Sequence, residues 1–266
     1  MSEQPQTWHY GLIARWWAEF NGPDPDELAF YRSVIEVDGQ PALDLACGTG
    51  RLLLPLMSAG LDVDGCDISS DMLALCWAAA AREGLSPRLY QQAMHDLHLP
   101  RNYRTILICD SFGIGGRRDQ DAAALRRCYD QLDSGGMLVF SHYLPHYDPR
   151  RWSYWLPEQR QQLPEAWQEA GTRKRAANGD EIELRARVVN LDPLEQRLTL
   201  EMRAELWREG RLEEQEQRLL VETLYFRNEI QLLLLNAGFA DVSSLTAYSG
   251  EVPTPNDTFL VFKARK

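Results

Sequence analysis

Apolar positions along this chain follow two rhythms. Between residues 42 and 142, short apolar stretches alternate with stretches compatible with helices. A strand is predicted near 42–46, a helix near 49–58, a second strand near 61–66 and a helix near 70–83, with Gly84 as its C-cap. Arg88-Leu89-Tyr90-Gln91 reads as a short third strand. Thr105-Ile106-Leu107-Ile108-Cys109 is continuously apolar, the pattern of a central parallel strand covered on both faces. A helix over 118–132 and a strand over 137–142 follow. This alternation implies a parallel sheet with right-handed crossovers. Two helices are predicted ahead of it. One is aromatic-rich, spans 7–20 and ends at Asn21-Gly22-Pro23. The other opens at Asp24-Pro25-Asp26-Glu27 and runs to about Val37.

After residue 142 the rhythm changes. Residues 143–171 hold aromatics and prolines without a clean period. Then Ile182, Leu184, Ala186 and Val188 alternate with Glu183, Arg185 and Arg187. Leu198, Leu200, Met202, Ala204 and Leu206 alternate with Thr199, Glu201, Arg203 and Glu205. A period of two marks a sheet with one wet face. Asn178-Gly179, Asn190-Leu191-Asp192-Pro193 and Glu209-Gly210 supply turns. The expectation is an antiparallel meander of three or four strands, inserted before a last helix over Arg227 to Gly238. Its apolar face must pack on the rim of the core sheet, on the aromatic N-terminal helix, or on another subunit in a homodimer. The chain reads as a single domain over 1–266, with a core of 38–142 and 225–266, a helical cap of 7–37 and an inserted cap of 143–224.

Composition narrows the classes. A length of 266 residues suffices for one core plus a small cap. A formal charge of −11 argues against nucleic acid, whose phosphates are gripped by basic patches. The clusters Arg117-Arg118, Arg126-Arg127 and Arg173-Lys174-Arg175 read as solvated faces. No apolar run is long enough for a membrane span. Met1 to Gln6 has neither the basic region nor the apolar core of a secretion signal, so the expected compartment is the cytoplasm. Cysteines 47, 66, 76, 109 and 128 are scattered, with no C-x-x-C pair and no histidines at ligand spacing. Neither a disulfide framework nor a metal site is expected. Cys66 and Cys109, on strands, and Cys76 and Cys128, on helices, read as small core residues.

The candidate chemistry starts at Leu43-Asp44-Leu45-Ala46-Cys47-Gly48-Thr49-Gly50, a strand running into a glycine turn. Asp67 closes the next strand, nineteen positions after Gly48. Strand, glycine loop, helix, strand and acid form the layout by which an α/β sheet holds a nucleoside, the acid taking the ribose hydroxyls. A dinucleotide fingerprint needs a third glycine, and Leu53 stands there. Asp44 at the strand end opposes phosphate but suits an ammonium group. A ligand joining adenosine to a zwitterionic amino acid, S-adenosylmethionine, fits better than a pyrophosphate.

Leu43 to Gly50 resembles the first motif of class I S-adenosylmethionine-dependent methyltransferases. Asp67-Ile68-Ser69-Ser70-Asp71-Met72-Leu73 is similar to the segment after their second strand. Leu132 to Phe140 resembles the turn into their fifth strand. Ala237-Gly238-Phe239 and Phe259 to Ala264 resemble their last hairpin. The resemblance implies a doubly wound, Rossmann-like, seven-stranded α/β sheet whose last strand is antiparallel, with N-terminal helices capping the site. It implies that Gly48 and Gly50, with Ala46, let the loop pass under the methionine and ribose, and that Asp44 positions the ammonium. It also implies that Asp67 takes the ribose hydroxyls, that Met72 and Ile68 flank the adenine, and that Met94 offers a backbone N–H. Ala93 stands where relatives often carry an acid for the adenine amino group, which leaves Gln92, a carbonyl or water for that bond. Asp110 follows the fourth strand and faces the methionine tail or the acceptor.

The implied activity is methyl transfer to a small-molecule acceptor. Candidates for a base or orienting group are His142, with Tyr143 and His146 near it, and Tyr10, with His9, Trp16 and Trp17 on the first helix. Trp152, Tyr154 and Trp155 either line an acceptor pocket or form the core of the cap. The competing readings are a non-catalytic S-adenosylmethionine-binding module and an NAD(P)-dependent oxidoreductase. The sequence does not choose among nitrogen, oxygen and carbon acceptors.

Overall fold

Two helices precede the first strand in the computed structural model, which describes residues 7–266; the Met1 to Gln6 stretch lies outside the described residues. Helix α1 (Gly11–Phe20) buries Leu12, Ile13, Ala14 and Trp16. It starts later than its composition suggests. Tyr10 is extended, because the chain before it is held by the next layer: Ser69 Oγ donates to the His9 carbonyl and the Gly11 N–H donates to Asp71 at 2.8 Å. Helix α2 (Pro25–Asp38) starts where Asp24 accepts from the N–H groups of Asp26 and Glu27, with proline in the first turn.

The core then alternates as expected: β1 (Ala42–Leu45), α3 (Leu53–Ser58), β2 (Val63–Asp67), α4 (Ser70–Arg82), β3 (Leu89–Gln91), β4 (Tyr103–Ile108), α5 (Arg118–Gln131) and β5 (Leu132–Tyr143). Helix α3 begins at Leu53 and not near Thr49, because Gly50 sits at φ +87°, outside the helical region. Strand β5 begins earlier than residue 137, because the C-terminus extends its pairing: the Gly135 N–H donates to the Lys266 carbonyl and the Lys266 N–H to Gly136. Two short helices, α6 (Pro149–Ser153) and α7 (Pro157–Arg160), occupy the aperiodic stretch. Strands β6 (Thr172–Arg175), β7 (Glu181–Asp192), β8 (Arg197–Arg208) and β9 (Arg211–Thr223) form the meander. Helix α8 (Arg227–Ala237) ends at left-handed Gly238, and β10 (Ala240–Thr246) with β11 (Phe259–Arg265) closes the chain.

The main sheet has the order β10-β11-β5-β4-β1-β2-β3. The strands from β1 to β5 are parallel and β11 runs antiparallel beside β5, as the family resemblance implies. Side-chain alternation along β4 and β5 feeds two cores. Ile106, Leu138 and Phe140 pack with Leu125 and Ile230 on one face. Leu107, Met137 and Val139 pack with Tyr31, Ile35 and Leu53 on the other.

The meander is a separate four-stranded antiparallel sheet, β6-β7-β8-β9. Of the three candidate partners for its apolar face, α1 is the one in place. Leu12, Ile13 and Trp16 pack with Ile182, Val188, Leu200, Ala204 and Leu220. That face is therefore covered within the chain. The β7–β8 turn comes later than Asn190: β7 continues through Asp192, whose carboxylate accepts from the N–H groups of Leu194 and Glu195. Two of the basic clusters are engaged by neighbours, while Arg126 and Arg127 are exposed. Arg117 pairs with Asp119, and Arg173 with Glu183 and the Trp207 ring. Among the described residues, no helix is long and apolar enough to cross a membrane.

Main-chain bonds lace the second sheet to the core at the loop after β4. The Gly115 N–H donates to Val221 O at 2.7 Å, and the Thr223 N–H donates to Gly113 O at 2.8 Å. Gly113 has φ +86°, and a Cβ there would lie 2.8 Å from the Thr223 carbonyl oxygen. Both facts require glycine. Gly113→Ala is expected to cost about 1–3 kcal/mol. Gly179→Ala, at φ +90° but with no neighbour within 4 Å, should cost about 1 kcal/mol or less. Urea denaturation compares the two; equal midpoints would show that this close approach places no demand on residue 113.

Candidate functional site

The carboxyl ends of β1, β2 and β4 frame a cleft of about 1070 Å³, ample for a nucleoside-sized ligand and a neighbour. Asp67 is the last residue of β2. Its carboxylate accepts from the Gly48 N–H at 2.9 Å and from the Ser69 N–H at 2.8 Å. Burial raises its affinity for a proton, while those two N–H groups and that of Ile68 oppose the rise without cancelling it. Each oxygen keeps lone-pair capacity for a donor from the cleft.

Two glycines shape the loop for different reasons. Gly48 lines the cleft at φ +54°, and a Cβ there would meet nothing within 4 Å, so a side chain would project into open space. Gly50 lies behind the lining at φ +87°. A Cβ there would come within 2.7 Å of Cys76 Sγ and 2.9 Å of Leu54 Cγ. The strand ends on either side are also left-handed without being glycine: Ala46 has φ 66° and Asp110 φ 48°. Such conformations cost about 1 kcal/mol or more each and cluster where the backbone is shaped for a ligand.

Asp44, on β1, is 2 % exposed. Burial pushes its carboxyl up to about 7; Arg51 opposes this, and the charges of Asp67 and Glu27 add to it. Ser141 Oγ donates to Asp110 Oδ1 at 2.5 Å and accepts from the Asp110 N–H at 2.9 Å, which fixes the residue after β4. Burial raises the Asp110 carboxyl as well.

The structure places Asp44, Ala46, Gly48, Asp67, Ile68, Met72, Ala93, Met94 and Asp110 around this one cleft, with Gly50 directly beneath. Gln92 is spent elsewhere: its amide accepts from the His98 N–H and donates to the His98 carbonyl. His9 and Trp17 line the cleft, stacked at 6.2 Å, and burial pushes His9 down to about 4. The two residues singled out for chemistry fall outside the lining. Tyr10 lies against the Arg218 guanidinium. His142 turns toward Phe112 and Tyr225, into a small side pocket, and burial pushes it down to about 4. Trp152 and Trp155 pack on each other and on Phe226, Tyr154 joins the core under the second sheet, and His146 lies beside Trp152. Of these aromatics, Tyr154 is buried core of the cap, whereas Trp152 is exposed and none of them lines the large cleft.

One group escaped the sequence reading. Arg51, directly after the glycine loop, forms an ion pair with Glu27 of α2. Cys109 Sγ donates to Glu27 at 2.8 Å, Tyr248 OH donates to it at 3.0 Å, and Arg51 reaches Cys109 Sγ at 3.2 Å. Burial would raise the Glu27 carboxyl, but its bonds to Arg51, Cys109 and Tyr248 hold it below the usual range. Cys109 is thus a member of a polar cluster, not the plain core residue its strand suggests. The available signals were an arginine next to the loop and an acid in a helix's first turn, neither specific alone. The other cysteines are buried and free.

The sheet order, the two-glycine bend and the acid at the end of β2 define a Rossmann-like fold with a capped cleft. Residues 42–136 match the family described as "Methyltransferase domain". The chain is 32 % identical over 99 residues to a protein of Geobacillus sp. (strain WCH70) named as a methyltransferase, covering 37 % of this chain and 40 % of that one. It is 32 % identical over 105 residues to the dTDP-3-amino-3,6-dideoxy-alpha-D-glucopyranose N,N-dimethyltransferase of Streptomyces fradiae, covering 39 % of this chain and 40 % of that one. The alignments thus span about two-fifths of each curated relative's length. The fold is similar to that of an S-adenosylmethionine-dependent methyltransferase from Clostridium acetobutylicum, with a TM-score of 0.69, 17 % identity and 90 % of each chain covered. The resemblance to S-adenosylmethionine-dependent methyltransferases is thus shown in fold and in the motif-bearing segment.

Asp44 yields a prediction about stability. Its folded-state value of about 7 lies above that of an unfolded aspartate, about 3.9. The folded protein therefore binds this proton more tightly, and the associated stability is lost as pH rises from about 4 through 7. Asp44→Asn, which cannot ionise, should be more stable than the parent at pH 8 by about 2–4 kcal/mol, with the gain vanishing near pH 4. Thermal melts at both pH values check this. A parent and variant that melt together at pH 8 would show that Asp44 carries no burial cost.

Proposed function

We propose that this protein is an S-adenosylmethionine-dependent methyltransferase acting on a small-molecule acceptor. The observation that carries the reading is the Asp67 carboxylate, bonded to Gly48 N–H at 2.9 Å at the edge of a cleft that also holds the buried Asp44. The residues fit the cofactor's parts. Asp67 takes the ribose hydroxyls, Asp44 faces the ammonium, and Ile68 and Met72 give apolar surface to the adenine. Gly48 leaves open the space a side chain would occupy. When bound, the cofactor supplies a methyl carbon carrying a sulfonium leaving group. The chain's own task is then alignment and exclusion of water. Helix α1, with His9 and Trp17 over the cleft, serves the second.

Leu53, fully buried in the core under the loop, occupies the position of the third glycine of a dinucleotide site, which disfavours a nicotinamide cofactor. The cleft volume favours an enzyme over a module that only stores the cofactor. The cap over the cleft suits a small acceptor, and so does the sugar nucleotide in the name of the S. fradiae relative.

Isothermal titration with S-adenosylmethionine and S-adenosylhomocysteine tests the reading; failure of both to bind at high micromolar concentration ends it. Asp67→Ala should weaken binding by about tenfold or more, since hydrogen bonds to a charged group contribute about 1.5–3 kcal/mol. The variant should still fold, and unchanged affinity would relocate the ribose contact. Affinity should also depend on pH through Asp44. Its carboxylate must be ionised to hold the ammonium, and it protonates below about 7. Binding of S-adenosylmethionine should therefore weaken by up to about tenfold per unit as pH falls below 7, and Asp44→Asn should flatten the profile. A parent profile that is flat between pH 5 and 8 contradicts the ammonium assignment.

A further inference from the structure

A second cavity lies against the first. It has about 70 Å³ and is lined by His142 and Tyr143 at the end of β5, Tyr147 just beyond, and Glu222 and Thr223 of β9 with Leu224 after it. Asp110, Phe112 and Ile114 of the loop after β4 line both cavities and form their common wall. The volume is about that of two waters, so it suits one polar head group and not a ring. We infer that this pocket is the acceptor subsite of the proposed methyltransferase and that it receives the amino group of a small-molecule amine, with Glu222 as its charge partner. The inference rests on the methyltransferase reading of the neighbouring cleft.

The argument is one of unmet demand. Glu222 brings a carboxylate into a half-buried position, and its nearest cation, Arg151, stays 3.9 Å away, too far for a hydrogen bond. Arg151 is instead bonded to the Tyr147 hydroxyl. Burial accordingly raises the Glu222 carboxyl, with Arg151 opposing only in part. A buried carboxylate is costly until a donor, above all a cationic one, completes it. Across the pocket, His142 Nε2 is buried and has no hydrogen-bond partner. Burial keeps the ring neutral at neutral pH, so it carries one lone pair able to accept an N–H. Asp110 adds a second carboxylate on the wall shared with the cofactor cleft. Two carboxylates and a neutral imidazole favour an ammonium or amine. They oppose an acidic acceptor, and for a hydroxyl they leave the charge of Glu222 uncompensated.

The test uses the full chain saturated with S-adenosylhomocysteine and two probes of equal size, ethanolamine and ethylene glycol, followed by ligand-observed NMR titration. Ethanolamine should bind about tenfold or more tightly than ethylene glycol. Glu222→Gln should erase that preference while S-adenosylhomocysteine affinity stays within twofold. The unaltered protein decides even if the variant does not fold: equal affinity for the two probes overturns the amine subsite. A preference that survives in a folded Glu222→Gln protein overturns the role of Glu222. If S-adenosylhomocysteine itself does not bind, the cofactor reading has failed and the subsite falls with it; if it binds and no amine preference appears, only the subsite falls.

Discussion

The carboxylate of Asp67 joins three stretches of chain that nothing else holds in common. One oxygen fixes the glycine loop through Gly48, and the other fixes the entry to α4 through Ser69. Ser69 passes the constraint on: its hydroxyl accepts from the Met72 N–H as the helix cap and donates to the carbonyl of His9, just ahead of α1. Loop, helix and lid therefore share one anchor. Hydrogen bonds to a charged group are strong enough to set such an arrangement, and burial opposes them. The carboxyl remains above its ordinary proton affinity even with its N–H partners, so the anchor is still short of donors until something enters the cleft.

The same tension recurs around the cleft. Asp44, Asp67 and Asp110 all have carboxyls raised by burial. Arg51 lies near them, but its guanidinium is committed to Glu27. The site is thus acidic and only partly compensated by its own backbone and by Ser141. A ligand that brings hydrogen-bond donors or positive charge would complete such a surface.

The order of strands and helices was legible because burial on two faces and burial on one leave different periodicities, and both persist over many residues. Boundaries failed where one local bond overrode the pattern, at the extended Tyr10 and at left-handed Gly50. The residues that line the cleft were legible because they lie at strand ends at fixed distances from a recognisable bend. Glu27 and Arg51 were not, since their contact spans 24 residues and joins separate elements. His142 shows a third limit. Along β5 the even positions Leu138 and Phe140 enter one core and the odd positions Met137 and Val139 the other. His142 continues the even face toward Tyr225, while Ser141 continues the odd face and reaches Asp110. Knowing that a residue ends a strand does not reveal which way it faces, and here the orientation separates the cofactor cleft from the side pocket.

The lacing of Gly113 and Gly115 to Val221 and Thr223 has an evolutionary corollary. The residues lining the large cleft cluster at the strand ends of the main sheet, whereas Glu222 belongs to β9, where its neighbours Val221 and Thr223 meet the loop after β4 through main-chain bonds. Main-chain bonds are indifferent to side-chain identity. The side chain at position 222, held between two such bonds, can therefore be exchanged while the mooring holds, provided that the glycine opposite Thr223 never acquires a side chain.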